Sequence, residues 1–285
     1  MSYQFNNTAT KLIGKVQNKL DQARKQFCRQ KIIFLHIPKC GGTSITNAIA
    51  SSVGASTKGY INPIHTREIA QEILGDQAEG SRLLLQLRQA ILLDNYFKNE
   101  SYIFGHFPIV RKVLDEPKNY LLVTVLREPV ERFMSQFRYY LATRYTNQLE
   151  HNQILSLEEI EKIWQNYIHS NLAIFHANTL SAYLNDDSNL EIGIEASSNR
   201  AIDNLNHFHI VGFLDQLGIF TNQFYQRSGS QLTIPSENKT QNKVSRKQNE
   251  LFKDFLDKEK YSTAKKMCYY DIKIYEYALQ FQTMN

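Results

Sequence analysis

The segment His36-Ile-Pro-Lys-Cys-Gly-Gly-Thr-Ser44 gathers an ammonium group, two glycines and two hydroxyls into one short stretch. Gly41 and Gly42 let the backbone come close to a bound anion, Thr43 and Ser44 add hydroxyl donors, and Lys39 can face an oxygen that becomes negative as a group departs. A helix opening at this point would add free N–H groups and a dipole that favour phosphate or sulfate. A second anion grip is available further on, where Arg127-Glu-Pro-Val-Glu-Arg-Phe-Met-Ser135 sets a guanidinium and a hydroxyl on either side of a turn. His106, just after Gly105, carries an imidazole that titrates near neutrality and can take the proton of a hydroxyl.

A nucleotide P-loop of the GxxxxGK type is the competing pattern. It places Lys directly after the last glycine, whereas Thr43 follows Gly42 here. The apolar run before Arg127 likewise ends in Arg, where a strand holding Mg²⁺ would end in Asp. An ATP- and Mg²⁺-dependent phosphotransferase therefore fits less well than an anion-binding transferase that uses no metal.

Each of these groups needs a strand end to hold it. Lys31 to Ile37 (KIIFLHI) reads as a buried parallel strand stopped by Pro38, and a helix is expected from Thr43. Tyr102 to Phe104 is a short strand ending at Gly105 and His106, and Tyr120 to Leu126 (YLLVTVL) is the strongest strand in the chain. Helices are expected over the leucine-rich stretches of residues 62–99, over VERFMSQFRYYLATRY after Pro129, around LEEIEKIWQNYI and NLAIFHANTL, and in the final segment from Asn249. His209 to Phe213 (HIVGF) is another strand. Strands alternating with helices predict an α/β, three-layer fold with a mainly parallel central sheet and a P-loop-like strand-loop-helix, its ligands beyond the carboxyl ends of the strands. Residues 1–30, with Leu12, Ile13, Val16 and Leu20 at helical spacing, read as a helical arm, and 31–285 as one domain. The polar stretch from Gly229 to Arg246 reads as a working loop.

The 285 residues are 42% hydrophobic, enough for a large core. Their net charge of +5 is spread among acids, which argues against a nucleic-acid partner and suits an anionic substrate. Three cysteines, Cys28, Cys40 and Cys268, form no metal-ligand spacing and are expected as free thiols of a reducing compartment. No run of eighteen apolar residues and no signal-peptide core is present, so no membrane insertion is expected and a cytoplasmic setting is.

IPKCGGTSI, YIFGHF and VLREPVERFMSQFRYYL resemble, in order and spacing, the carbohydrate sulfotransferases that use 3'-phosphoadenosine-5'-phosphosulfate (PAPS), particularly the uronosyl 2-O-sulfotransferases of glycosaminoglycan synthesis. Looser similarity follows at Ala201-Ile-Asp-Asn-Leu-Asn, Ile210-Val-Gly-Phe, Asn238 to Lys243 and Ile274-Tyr-Glu-Tyr-Ala. The resemblance implies that Lys39, Cys40, Gly41, Gly42, Thr43 and Ser44 hold the 5'-phosphosulfate. It further implies that Arg127 and Ser135 hold the 3'-phosphate, and that Lys239, Thr240 and Lys243 lie in a loop closing over the nucleotide. His106 matches the general base, but the family pattern His-Gly-His stands here as Phe104-Gly105-His106, which leaves His36 and His65 as other candidates for the base. The implied reaction is an in-line transfer to a hydroxyl of a carbohydrate or small metabolite, without metal, releasing 3'-phosphoadenosine-5'-phosphate (PAP). A bacterial cytoplasmic enzyme is expected over a Golgi one. The missing histidine raises a further reading, a PAP-binding module without turnover. The acceptor is expected against residues 60–100 and 141–170; Tyr139, Tyr140, Tyr145 and Trp164 would either stack on a sugar or fill the core.

Overall fold

The computed structural model describes residues 31–284 except 55–56, 146–153, 188–190, 192, 236–245 and 257. The arm expected over residues 1–30 lies outside the described residues, as do Lys239, Thr240 and Lys243.

The elements in chain order are β1 (Lys31–Leu35), α1 (Gly42–Val53), β2 (Lys58–Ile61), α2 (Pro63–Leu74), α3 (Arg82–Phe97), β3 (Tyr102–Gly105), α4 (Arg111–Asp115) and β4 (Tyr120–Leu126). They continue with α5 (Pro129–Arg144), α6 (Leu157–Ile168), α7 (Asn171–Ala177), α8 (Thr179–Leu184), α9 (Glu195–Leu205), β5 (Ile210–Phe213), α10 (Leu217–Ser228), α11 (Arg246–Phe255), α12 (Lys258–Met267) and α13 (Tyr269–Met284). The five strands form one parallel sheet in the order β2-β3-β1-β4-β5. The α/β fold with helices on both faces of a parallel sheet thus agrees with the sequence reading.

Apolar runs with no polar alternation are what a sheet covered on both faces requires. Ile33 and Leu35 of β1 and Leu122 and Leu126 of β4 pack into one core with α3, α8, α9 and α13. Ile32 and Phe34, with Leu121, Val123 and Val125, pack into the other with α1 and α10. A separate aromatic cluster, including Phe133, Phe137, Trp164, Phe252 and Phe255, joins α5, α6 and α11. Burying a large side chain of this kind is worth about 1.5–3 kcal/mol, so the cluster anchors these helices as a core separate from the sheet's own.

Two elements differ from expectation. β2 is an edge strand whose Lys58 and Tyr60 are exposed, leaving too few buried positions to signal a strand. The helix expected over NLAIFHANTL breaks at Asn178, and α8 starts anew because the Asp271 carboxylate of α13 accepts from the N–H groups of Leu180 and Ser181 at 2.8 and 2.9 Å. Among the described residues, no helix is long and apolar enough to cross a membrane. Cys40 and Cys268 are both free and buried.

Candidate active site

Parallel pairing aligns Leu35 with Gly105, so the chain leaves β1 and β3 side by side, and the His36 N–H donates to the Gly105 carbonyl at 3.1 Å. Gly105 cannot be replaced there, because its φ is +136° and a Cβ would sit 2.3 Å from the Ile61 carbonyl oxygen. The following turn bends sharply. Lys39 takes a left-handed φ of 68°, uncommon for a residue with a side chain and typical of places where backbone geometry serves a ligand. Gly41, also left-handed, caps α1 without a side-chain hydrogen bond, and no acid lies in the first turn. The amides of Gly42, Thr43 and Ser44 consequently have no intrahelical acceptor and no competing carboxylate.

Gly42 is needed for a different reason. A Cβ on it would lie 1.8 Å from Cδ2 of His36, whose imidazole rests directly over the helix start. Arg127, at the end of β4, steadies the turn by donating from Nη1 to the Lys39 carbonyl at 3.5 Å, while its Nη2 faces Glu131 at 3.5 Å. The Lys39 ammonium lies over the Tyr139 ring, 4.6 Å from its centre. Cys40 departs from the pattern. Its side chain is buried in the core, burial pushes the thiol up to about 11 against the pull of Arg132 and Arg127, and its N–H donates to the Ile37 carbonyl at 3.4 Å. It therefore offers an incoming anion neither a side chain nor a free amide.

A cavity of about 560 Å³ opens above the carboxyl ends of β1, β3 and β4. Lys39, Gly41, Gly42, Thr43, Ser44, His106, Arg127 and Ser135 all line it, so these residues, separated widely in sequence, meet in one place. His36 lines it too, its ring edge-on to His106 with centres 4.3 Å apart and planes at 83°. Burial, with the Lys39 ammonium adding to it, brings the His36 pKa down to about 4. Burial first, then His36, Arg88, Arg67 and Lys39, hold His106 well below the ordinary histidine range. Both rings are neutral at pH 7, the state in which an imidazole can accept a proton.

Phe104 is not a cavity residue. Its ring stacks on Tyr60 and Tyr102, at 4.9 and 4.6 Å, on the side of the sheet away from the first core. His65 is an exposed residue of α2 beside Glu68 and does not reach the cavity. Of the four aromatic residues singled out in the sequence, only Tyr139 lines the cavity; Trp164 is buried in the aromatic cluster, with Tyr140 and Tyr145 packed against it.

The wall facing the Lys39 loop is made of residues that sequence reading did not single out. Arg88 of α3 is buried, donating from Nε to Thr66 Oγ1 at 3.1 Å, from Nη1 to the Tyr183 hydroxyl at 2.9 Å and from Nη2 to the Pro63 carbonyl at 3.2 Å. Arg67 of α2 pairs with Glu79 at 3.5 Å. His176 of α7 is held by the Tyr167 hydroxyl at Nδ1 (2.7 Å) and by Gln136 at Nε2 (3.3 Å), and Glu79 lies 4.0 Å from the same nitrogen. His176 beside it and the Arg67 and Arg88 charges keep the Glu79 carboxyl low despite burial, so it is ionised at neutral pH. Arg88 alone left a sequence signal, a guanidinium inside the apolar run LLLQLRQAILL, where a buried charge must find partners.

A cavity with preorganised anion donors on one wall, a neutral imidazole beside them and a polar wall opposite can hold a phosphate- or sulfate-bearing molecule next to a hydroxyl. Among the described residues, no group of His, Cys, Asp and Glu is arranged to hold a metal ion. A sequence profile described as the sulfotransferase family matches residues 26–278. A search of the curated proteins finds no match to the chain.

Proposed function

Because the chain belongs to the sulfotransferase family, we propose that it transfers a sulfuryl group from PAPS to a hydroxyl of a carbohydrate or small metabolite, in one complex. The observation that carries this reading is that the Lys39 loop and His106 line the same cavity, one suited to a leaving phosphate and the other to a hydroxyl.

The residues present fit PAPS. The unpartnered amides of the first turn of α1, with Thr43 and Ser44, suit its 5'-phosphosulfate, and Arg127 with Ser135 suits its 3'-phosphate. Leu214, Leu217, Ile234 and Pro235 give the cavity an apolar wall near Gly41, where a purine would rest. The family resemblance adds Lys239, Thr240 and Lys243, outside the described residues, to the nucleotide's contacts. When bound, PAPS supplies the sulfuryl group and a phosphate as leaving group. Lys39 neutralises the charge that grows on the bridging oxygen, the loop amides keep the phosphate aligned, and His106 takes the acceptor's proton. Arg67 and Glu79 on the opposite wall support a polyhydroxylated acceptor, since together they present fixed donors and acceptors. The two-histidine arrangement of the uronosyl 2-O-sulfotransferases is not repeated at residue 104, so the reading extends to their donor chemistry and not to their acceptor.

The test is to incubate the purified chain with labelled PAPS and a panel of sugars and small metabolites in the presence of a chelator. Label should move to at least one hydroxylated acceptor and PAP should accumulate. Phosphate transfer from ATP with Mg²⁺, and none of sulfate, would replace the reading with a phosphotransferase. Tight PAP binding with no transfer to any acceptor would replace it with a binding module.

A further inference from the structure

We infer that His36 is a catalytic residue: its ring N–H donates a hydrogen bond to a non-bridging oxygen of the sulfuryl group while that group passes from the Lys39 loop to the acceptor oxygen beside His106. The inference rests on the sulfuryl transfer proposed above.

Position is the first argument. His36 stands between the two machineries, its ring over the start of α1 and edge-on to His106. The point where a Cβ of Gly42 would be lies 1.8 Å from Cδ2, 1.9 Å from Nε2 and 2.4 Å from Cγ, so the ring lies face-on over the helix turn with its Cδ2–Nε2 side nearest, and both the ring and that turn line the cavity. The ring thus borders the cavity between that turn and His106, within reach of a group moving from one to the other. Rigidity is the second. The backbone at His36 is tied to Gly105 by the 3.1 Å hydrogen bond, and the ring itself is packed against Gly42, Phe34 and His106, so it is held in place before the group moves. The third is availability, because among the described residues neither His36 nor His106 is hydrogen-bonded through its ring. Held neutral by burial, His36 keeps one N–H throughout the range in which His106 acts as base.

The bond changes balance without a further reactant. The acceptor oxygen forms its bond to sulfur as the bond from sulfur to the bridging oxygen breaks, and the electron pair leaves on the phosphate facing Lys39. The hydroxyl proton moves to His106, and His36 keeps its own. A donor that meets the sulfuryl oxygens midway between the loop and His106, and not where they rest in bound PAPS, contributes to rate and little to binding, and losing one costs roughly a hundredfold in rate.

The experiment compares His36→Phe, which keeps an aromatic ring over Gly42 but has no N–H, with His36→Gln, which restores a donor near Nε2. Single-turnover transfer of labelled sulfate is read alongside PAP affinity by calorimetry. The Phe variant should bind PAP as the unmodified chain does and transfer about a hundredfold more slowly, and the Gln variant should recover most of that loss. A Phe variant within about twofold of the unmodified rate would make His36 a spacer and overturn the inference. So would equal, deep losses in both variants together with disappearance of the acid limb of the pH profile, which would make His36 the base. If Phe does not bind PAP, His36→Leu against His36→Gln supplies the same contrast. Failure of the unmodified chain to use PAPS would instead overturn the functional reading.

Discussion

The two walls of the cavity are built in opposite ways. The wall proposed to hold the donor comes mainly from one turn and one helix start, residues 36–44 after β1, joined by Arg127 at the end of β4 and Ser135 of α5. The facing wall draws its residues two or three at a time from α2, the segment before α3, α3, α7 and α8, and their polar side chains are held by partners on other elements, as Arg88 is by Tyr183. A local motif fixes its own geometry through backbone conformation, so its chemistry is general to any donor with the right anion. A wall of scattered side chains is free to vary with what it must recognise. The first wall should therefore control rate and nucleotide affinity, and the facing wall acceptor affinity together with, through Arg88 and Arg67, the pKa of His106.

The largest effect should come from the donor wall's charge. Lys39→Ala should lower kcat by about a thousandfold, as loss of a main transition-state partner does, with an unchanged thermal midpoint and a nearly unchanged acceptor KM in steady-state assays. His106→Ala should cost about a hundredfold or more in kcat. His106 must be neutral to take a proton, and burial with nearby cations lowers its pKa. For the unmodified chain, kcat/KM should therefore stay level from neutral pH down past 6.5, the ordinary histidine value, and fall only below it. A fall already at pH 7 would mean that another group is the base.

Gly42→Ala sharpens the contrast by geometry instead of charge. Its methyl would displace His36 and the helix start, so PAP affinity should drop by about tenfold, ~1.4 kcal/mol, in calorimetry, with a lowered thermal midpoint. Smaller still should be Arg67→Ala and Glu79→Gln, which should raise acceptor KM severalfold, about 1 kcal/mol, and leave PAP affinity where it was. A change in PAP affinity on replacing Arg67 would erase the division between the walls.

That division also explains what the sequence discloses. KIIFL and YLLVTVL identify buried parallel strands because both faces are covered. KGYI does not, because an edge strand with half its residues exposed lacks that signature. The break at Asn178 cannot be read locally, since the carboxylate that starts α8 belongs to Asp271 at the other end of the chain. Lys39, Gly42 and His106 stand out because consecutive residue types at strand ends carry their meaning with them. Cys40 misleads for the same reason: it sits inside the motif, but the turn sends its side chain to the core. Phe104 reads as a lost histidine along the chain, while in space a second imidazole reaches His106 from the neighbouring strand. Only the register of Leu35 with Gly105 reveals that. Arg67, Glu79 and His176 are legible only once α2, α3 and α7 have packed.

The most direct test of the account is transfer of label from PAPS into a fractionated cell extract, run in parallel with the unmodified chain and with Lys39→Ala. Label entering a hydroxylated fraction with the unmodified chain, and lost in the variant, is the predicted result. No transfer by the unmodified chain, or equal transfer by both, would contradict it.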